Sequence, residues 1–261
     1  MSLVIPEQLW KKATSTIGLV VVRHDDGVNV MAAEWSYFVN KEPLYAAVVL
    51  SPRARTRELL PKQGEFSLTL CSEEQAELAD FVGSFSLDEV DKTGSELIGF
   101  GAPETTETPW VEGGLVALEC VLRESIPFPV HTMFVGEVVA AHLPGRERRP
   151  LVKHGSMHAL GKPVRRTAVV ATAQVLPDGT LRVAATGPVA SGSDVWRLSL
   201  LGADGGTTEL GEHPSAEWGD FQADLPLPAG PPTLAGARIK VEREGAIPGF
   251  ARVTVGGGAH T

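Results

Sequence analysis

Six consecutive residues, Ser51-Pro52-Arg53-Ala54-Arg55-Thr56, concentrate anion-binding chemistry in one short loop of this 261-residue chain. Two guanidinium groups separated by a single residue can grip a phosphate through paired N–H donors, and the flanking hydroxyls can donate beside them. Thr56-Arg57-Glu58-Leu59-Leu60 reads as the opening of a helix, whose first amides would point at the same spot. The spacing thus describes an anion cradle. It is also compatible with a solvated connection in which Thr56 is an ordinary helix N-cap.

Other reactive residue types are sparse. His131, His154 and His158 fall within one region, yet no His-x-x-x-His pair with a carboxylate lies on one evident element, so no metal site is expected. Cys71 and Cys120 stand far apart and outside any Cys-x-x-Cys spacing, which points to buried reduced thiols.

The elements that must position the loop are short strands. Val28–Val39 and Leu44–Leu50 are rich in β-branched and aromatic residues and read as two paired strands, with Lys41-Glu42-Pro43 as the turn. Before them come a short helix over Pro6–Thr14, a buried strand from Ile17 to Val22 and a hairpin turn at Asp25-Asp26-Gly27. After Thr56 the helix is expected to run to about Leu60 and stop by Gly64, ahead of a strand over Glu65–Cys71. Ser72, with acidic residues behind it, starts a second helix that Gly83 ends. Glu104–Glu107 reads as a surface loop and Arg146–Arg149 as a solvated charged turn.

The chain changes texture near Arg165. Thr167–Val175, Thr180–Thr186, Asp194–Leu201, Ala237–Arg243 and Ala251–Val255 alternate with period two, punctuated by Asp178-Gly179 and a Pro/Gly loop over Pro226–Pro232. This implies a smaller all-β domain over residues 165–261, with Trp196 and Trp218 as core anchors or, alternatively, a recognition surface, and a frayed tail from Gly256.

A formal charge of −9 and a pI near 5.3 argue against nucleic acid and anionic membrane as partners. The 43% hydrophobic content suffices for packed cores, and the N-terminal residues carry no basic, long apolar leader pattern, so a cytoplasmic protein is expected.

Across residues 8–164 the chain resembles the flavin-reductase-like family of FMN-binding split barrels, which includes flavoredoxins and the reductase components of two-component monooxygenases. The likeness rests on Asn29 followed by a small-residue strand with an aromatic, the Pro43 turn, the Ser/Arg loop closing on Thr56, the Asp91-Lys92 pair, Ala117-Leu118-Glu119-Cys120, and His131-Thr132-Met133-Phe134-Val135-Gly136-Glu137-Val138. The resemblance implies a mainly β fold, a split β-barrel with a few short helices over residues 1–164, working as a homodimer. It further implies FMN, with FAD as the alternative, held by Ala33, Glu34, Trp35 and Ser36 at the ring and by Ser51, Arg53, Arg55 and Thr56 at the phosphate and ribityl chain. Asp91 and Lys92 would lie near the flavin, and His131 would face the nicotinamide of NADH or NADPH.

The implied activity is an NAD(P)H:flavin oxidoreductase, with a monooxygenase as a candidate partner. A flavin enzyme acting on an organic substrate and a non-catalytic flavin-binding module are the alternatives. Glu34, Glu42, Thr93, Pro129 and Lys153 depart from the family pattern.

Overall fold

A computed structural model describes residues 7–164, 166–188, 194–216, 220–227, 234 and 236–255. The chain divides into two compact units, Met1–Gly161 and Lys162–Thr261.

In the first unit, a 3-10 turn at Leu9–Lys12 replaces the expected longer N-terminal helix. The strands that follow are β1 (Ser15–Thr16), β2 (Gly18–His24), β3 (Gly27–Ala33), β4 (Ser36–Lys41) and β5 (Leu44–Leu50). Helix α1 (Thr56–Gln63), β6 (Glu65–Leu70) and helix α2 (Ala76–Ser84) come next, and the short pair β7 (Phe100–Gly101) and β8 (Trp110–Val111) after them. The unit closes with β9 (Val116–Pro127), β10 (Thr132–His142), β11 (Leu151–His154) and β12 (Ser156–Ala159). Seven strands form one antiparallel sheet in the order β3-β2-β6-β9-β10-β5-β4, and β1, β11 and β12 form a three-stranded sheet.

The run Val28–Val39 is not one strand. Residues 27–33 pair with β2 at one edge of the sheet, whereas residues 36–41 pair with β5 at the other. Glu34 and Trp35 carry the chain from edge to edge, and the Val49 amide donates to the Trp35 carbonyl at 3.0 Å. Apolar composition runs through this crossing because β3 is partly buried in the core while the edge strand β4 exposes Tyr37, Phe38 and Val39, so hydrophobicity alone gives no sign of it.

Strand β2 explains why Ile17–Val22 shows no alternation: both of its faces are covered. Val20 and Val22 point into the barrel with Phe66, Leu68, Leu118 and Phe134. Leu19 and Val21 face the opposite side, packed with Leu78, Ala79 and Val82 of α2. Helix α1 sends Leu59 and Leu60 into the barrel cluster. It runs past the expected stop at Leu60 to Gln63, where Gly64 caps it at φ 71°. Gly136 of β10 lies against Phe66, whose ring carbon would come within 2.6 Å of an added Cβ. This is the close approach that the Phe-x-Gly-x-Val pattern encodes.

The second unit contains β13 (Val170–Val175), β14 (Leu181–Thr186), β15 (Val195–Leu201), β16 (Thr207–Pro214), β17 (Phe221–Leu225), β18 (Arg238–Arg243) and β19 (Gly249–Val255). Their order is β16-β15-β18-β19-β13-β14-β17, with β13 and β19 parallel, a Greek-key connectivity of the immunoglobulin-like kind. Trp196 is fully buried at its centre, as the sequence suggested, and Trp218 lies outside the described residues, as do most of the Pro226–Pro232 loop and the tail from Gly256. Strands β16 and β17 escaped the sequence reading. Both are edge strands; β16 is largely exposed and shows no apolar alternation, whereas β17 alternates over only five residues, with Phe221 and Leu225 buried and Gln222 and Asp224 outward.

Candidate functional site

The cradle loop enters α1 without a side-chain cap. Arg55 occupies the N-cap position, and Thr56, fully buried, instead receives the Asn29 amide on its hydroxyl oxygen at 2.9 Å. Thr56 is therefore not the helix cap of the alternative reading. The Ala54, Arg57 and Glu58 amides bond to carbonyls within the turn, whereas those of Arg55 and Thr56 have no acceptor among the described residues.

Two joined clefts flank this loop. The first, about 310 Å³, is lined by Met31, Ala32, Ala33, Glu34, Trp35, Val49, Ser51 and His131, with Trp10 at its mouth. Its walls are mainly apolar, and the His131 ring leans on Trp35 with centroids 5.2 Å apart. The second, about 610 Å³, runs between the cradle loop and the segment following α2. Asn29, Ser51, Arg53, Arg55, Thr56, Ser86, Asp88, Glu89 and Lys92 supply its polar groups. Met31, Ala32 and Ser51 line both, so a mainly apolar slot adjoins a polar trough.

Two residues that line the trough each carry a polar atom without a partner among the described residues. Asn29, 3% exposed, uses its amide nitrogen on Thr56, and its Oδ1 is buried with no protein partner. The Ser86 hydroxyl is buried and equally unmatched. Such orphaned groups cost about 1–3 kcal/mol each unless something bonds to them, and a polyol chain carries hydroxyls suited to both.

The charged groups differ in their freedom. Arg53 is exposed and makes no ion pair among the described residues. Arg55, half-buried, is committed to Glu58 and approaches Asp88 at 3.8 Å. Lys92 is buried, and its ammonium donates to the Phe85 carbonyl at 2.8 Å and the Val82 carbonyl at 3.3 Å, capping the end of α2. Burial lowers its pKa to about 8.

Most of the residues expected at the flavin converge here: Ala33, Glu34, Trp35, Ser51 and His131 on the slot, Arg53, Arg55, Thr56 and Lys92 on the trough. Two do not. Ser36 is fully buried with its hydroxyl on the Ala33 carbonyl, and the exposed Asp91 carboxylate is occupied by the Thr93 amide and hydroxyl. Asn29, Ser86, Met31 and Trp10 are the residues that site reasoning missed. Only Asn29 is marked in the sequence, as the first residue of the family pattern and without a role in the site.

Residues 10–161 match the flavin reductase like domain. The chain belongs to that family. An FMN-binding protein of Thermus thermophilus, solved with bound p-hydroxybenzaldehyde, is 26% identical with a TM-score of 0.56, covering 63% of this chain and 96% of that one. The styrene monooxygenase flavin reductase of Pseudomonas putida S12 shares the fold at 21% identity and a TM-score of 0.54, over 62% of this chain and 100% of its own. An uncharacterised protein of Pyrococcus abyssi is 29% identical over 126 residues, 47% of this chain and 70% of that protein. The family match stops where the second unit begins.

Among the described residues no group of His, Cys, Asp and Glu could hold a metal, and no helix is long and apolar enough to cross a membrane. Cys71 and Cys120 are both buried and free, and burial pushes the Cys71 thiol up to about 12, leaving it unreactive.

Proposed function

We propose that the first unit binds FMN across the two clefts and acts as an NAD(P)H-dependent oxidoreductase of the flavin-reductase type. The observation that carries this reading is the trough, where Asn29 and Ser86 each hold a buried polar atom, and Arg53 an exposed guanidinium, without a partner among the described residues, beside a mainly apolar slot of about 310 Å³. Arg53, the amides of Arg55 and Thr56, and Lys92 would hold the phosphate. Asn29 and Ser86 would meet the ribityl hydroxyls, and Met31, Ala32, Ala33 and Trp35 would enclose the ring.

Bound FMN supplies hydride acceptance at N5 and onward electron delivery; the protein orients it and sets the local field. His131, propped on Trp35, forms the wall that a nicotinamide would meet. Asp88 and Glu89 line the outer trough, and their charge disfavours a second phosphate there, which supports FMN over FAD.

Homodimer formation fits the exposed Tyr37, Phe38 and Val39 on the edge strand β4. The likeness to a reductase component of a monooxygenase system supports a monooxygenase as acceptor of the reduced flavin. A second reading, reduction of a small organic substrate, is favoured by the aldehyde held in the Thermus relative and by the carboxylate of Glu34 in the slot.

The deciding experiment is a visible absorbance titration with FMN followed by anaerobic NADH and NADPH. Saturable binding and bleaching by one nucleotide are expected. Absence of binding at tens of micromolar FMN would refute the reading, and binding without bleaching would leave a flavin-binding module.

A further inference from the structure

A third pocket, about 230 Å³, adjoins the ring slot, and Ala32 and Glu34 line both. Its other walls are Ile17, Ala79, Asp80, Gly83 and Ser84, with Lys153 and Met157 from β11 and β12. We propose that this pocket is the head-group subsite for a small amphoteric substrate, one bearing both an ammonium and a carboxylate, whose remainder reaches toward the flavin held in the slot. The proposal rests on the flavin reading above and names the class of its organic substrate.

Size sets the first constraint. Sites that enclose a whole small molecule run to about 300–1,000 Å³, so this pocket suits one end of a ligand, and the walls it shares with the slot at Ala32 and Glu34 place the other end beside the flavin. Charge sets the second. Glu34 and Lys153 are half-buried, Asp80 stands at the rim, and none of the three side-chain charges has a hydrogen bond or ion pair among the described residues.

Elsewhere in the same unit opposite charges within reach close on each other, as Arg146 and Arg149 do on Glu74 and Glu73. Here an ammonium and two carboxylates line one cavity yet remain apart. An ammonium seated between Glu34 and Asp80 with a carboxylate on Lys153 would satisfy all three, each contact being a charge-assisted hydrogen bond. Ile17, Ala79 and Met157 supply an apolar floor for the carbon between the two ends. Glu34 and Lys153 are also two of the positions where the sequence departs from its family pattern, which suits a role in substrate choice.

The test titrates the FMN-loaded protein with three compounds that share a phenyl group and differ at the head: L-phenylalanine, phenethylamine and 3-phenylpropionate. The flavin difference spectrum reports occupancy. Phenylalanine is expected to bind about tenfold or more tighter than either single-ended compound, one charge-assisted contact being worth at least that. Lys153→Met should reduce phenylalanine to the level of phenethylamine, Asp80→Asn should weaken phenylalanine and phenethylamine but not 3-phenylpropionate, and Lys153→Arg should retain binding.

Equal affinity for all three compounds, no binding of any, or an unchanged phenylalanine affinity in Lys153→Met would overturn the proposal. If FMN itself fails to bind, the same titration is read from the emission of Trp10 and Trp35 beside the slot. A phenylalanine response there would uphold the subsite while refuting the flavin reading.

Discussion

Lys92 ties the cofactor pocket to proton chemistry. With its pKa lowered to about 8 by burial, the side chain is half-neutral in mildly alkaline solution, and a phosphate arriving in the same trough favours the charged form. FMN binding near pH 8.5 is therefore expected to take up a proton fraction, measurable by calorimetry in two buffers of different ionisation enthalpy, and Lys92→Met should abolish it. Arg53 and Arg55 should also separate. Arg53 has no competing partner, so Arg53→Ala is expected to weaken FMN by about tenfold or more in a fluorescence-quenching titration. Arg55 already serves Glu58 and Asp88, so Arg55→Ala should cost less; the reverse ranking would place the phosphate elsewhere. At this scale the sequence disclosed residue types and little of their state. The cradle was legible because Ser, Arg and Thr cluster locally, whereas the orphaned oxygens of Asn29 and Ser86 exist only because distant segments fold over them.

Among elements, β9 does more than complete the barrel. Its Glu119 is fully buried, which by itself would raise the carboxyl pKa. Hydrogen bonds outweigh that: the Glu104, Thr105 and Thr106 amides at 2.7–2.9 Å and the His142 ring at 2.7 Å hold it down at about 2. Because the folded value lies below the unfolded one, the stabilisation is complete above the usual carboxylate range and is lost progressively as pH falls from about 4.5 toward 2, in total on the order of 3 kcal/mol. Urea midpoints should therefore drop steeply over that window, and Glu119→Gln should flatten the dependence; an unaltered slope would mean other carboxylates dominate. Gly136→Ala is expected to destabilise the barrel by about 1–3 kcal/mol, since Phe66 must move, with a lowered thermal midpoint as the readout. The loop over Glu104–Glu107 is the largely exposed surface loop the sequence indicated and is in addition held by Glu119, and the solvated turn over Arg146–Arg149 also pairs with Glu74 and Glu73. Strands were legible where apolar residues form a sustained run, as in β2, or alternate over six or more residues, as in β14. They were misread at Glu34-Trp35, where two strands join without losing apolarity, and overlooked at the edges β16 and β17.

For the whole molecule, each hydrophobic cluster draws its residues from a single unit. The two clusters of the first unit fall between Ile17 and Met157, and the cluster around Trp196 and Leu198 falls between Val169 and Val253. Every residue lining the slot, the trough and the adjoining pocket belongs to the first unit. A chain ending at Gly161 thus retains its own buried core and every described residue that lines the site. Its sheet edge also keeps Tyr37, Phe38 and Val39 exposed, so it should still associate if β4 is the dimer surface. Expressed alone, residues 1–161 are expected to fold cooperatively, to bind FMN within about threefold of the full chain's affinity, and to show twice the protomer mass by light scattering, with Phe38→Asp giving monomers. These readouts fail independently. Lost flavin binding with intact circular dichroism would assign part of the site to the second unit, whereas a monomer that still binds FMN would show that a single barrel suffices for the cofactor.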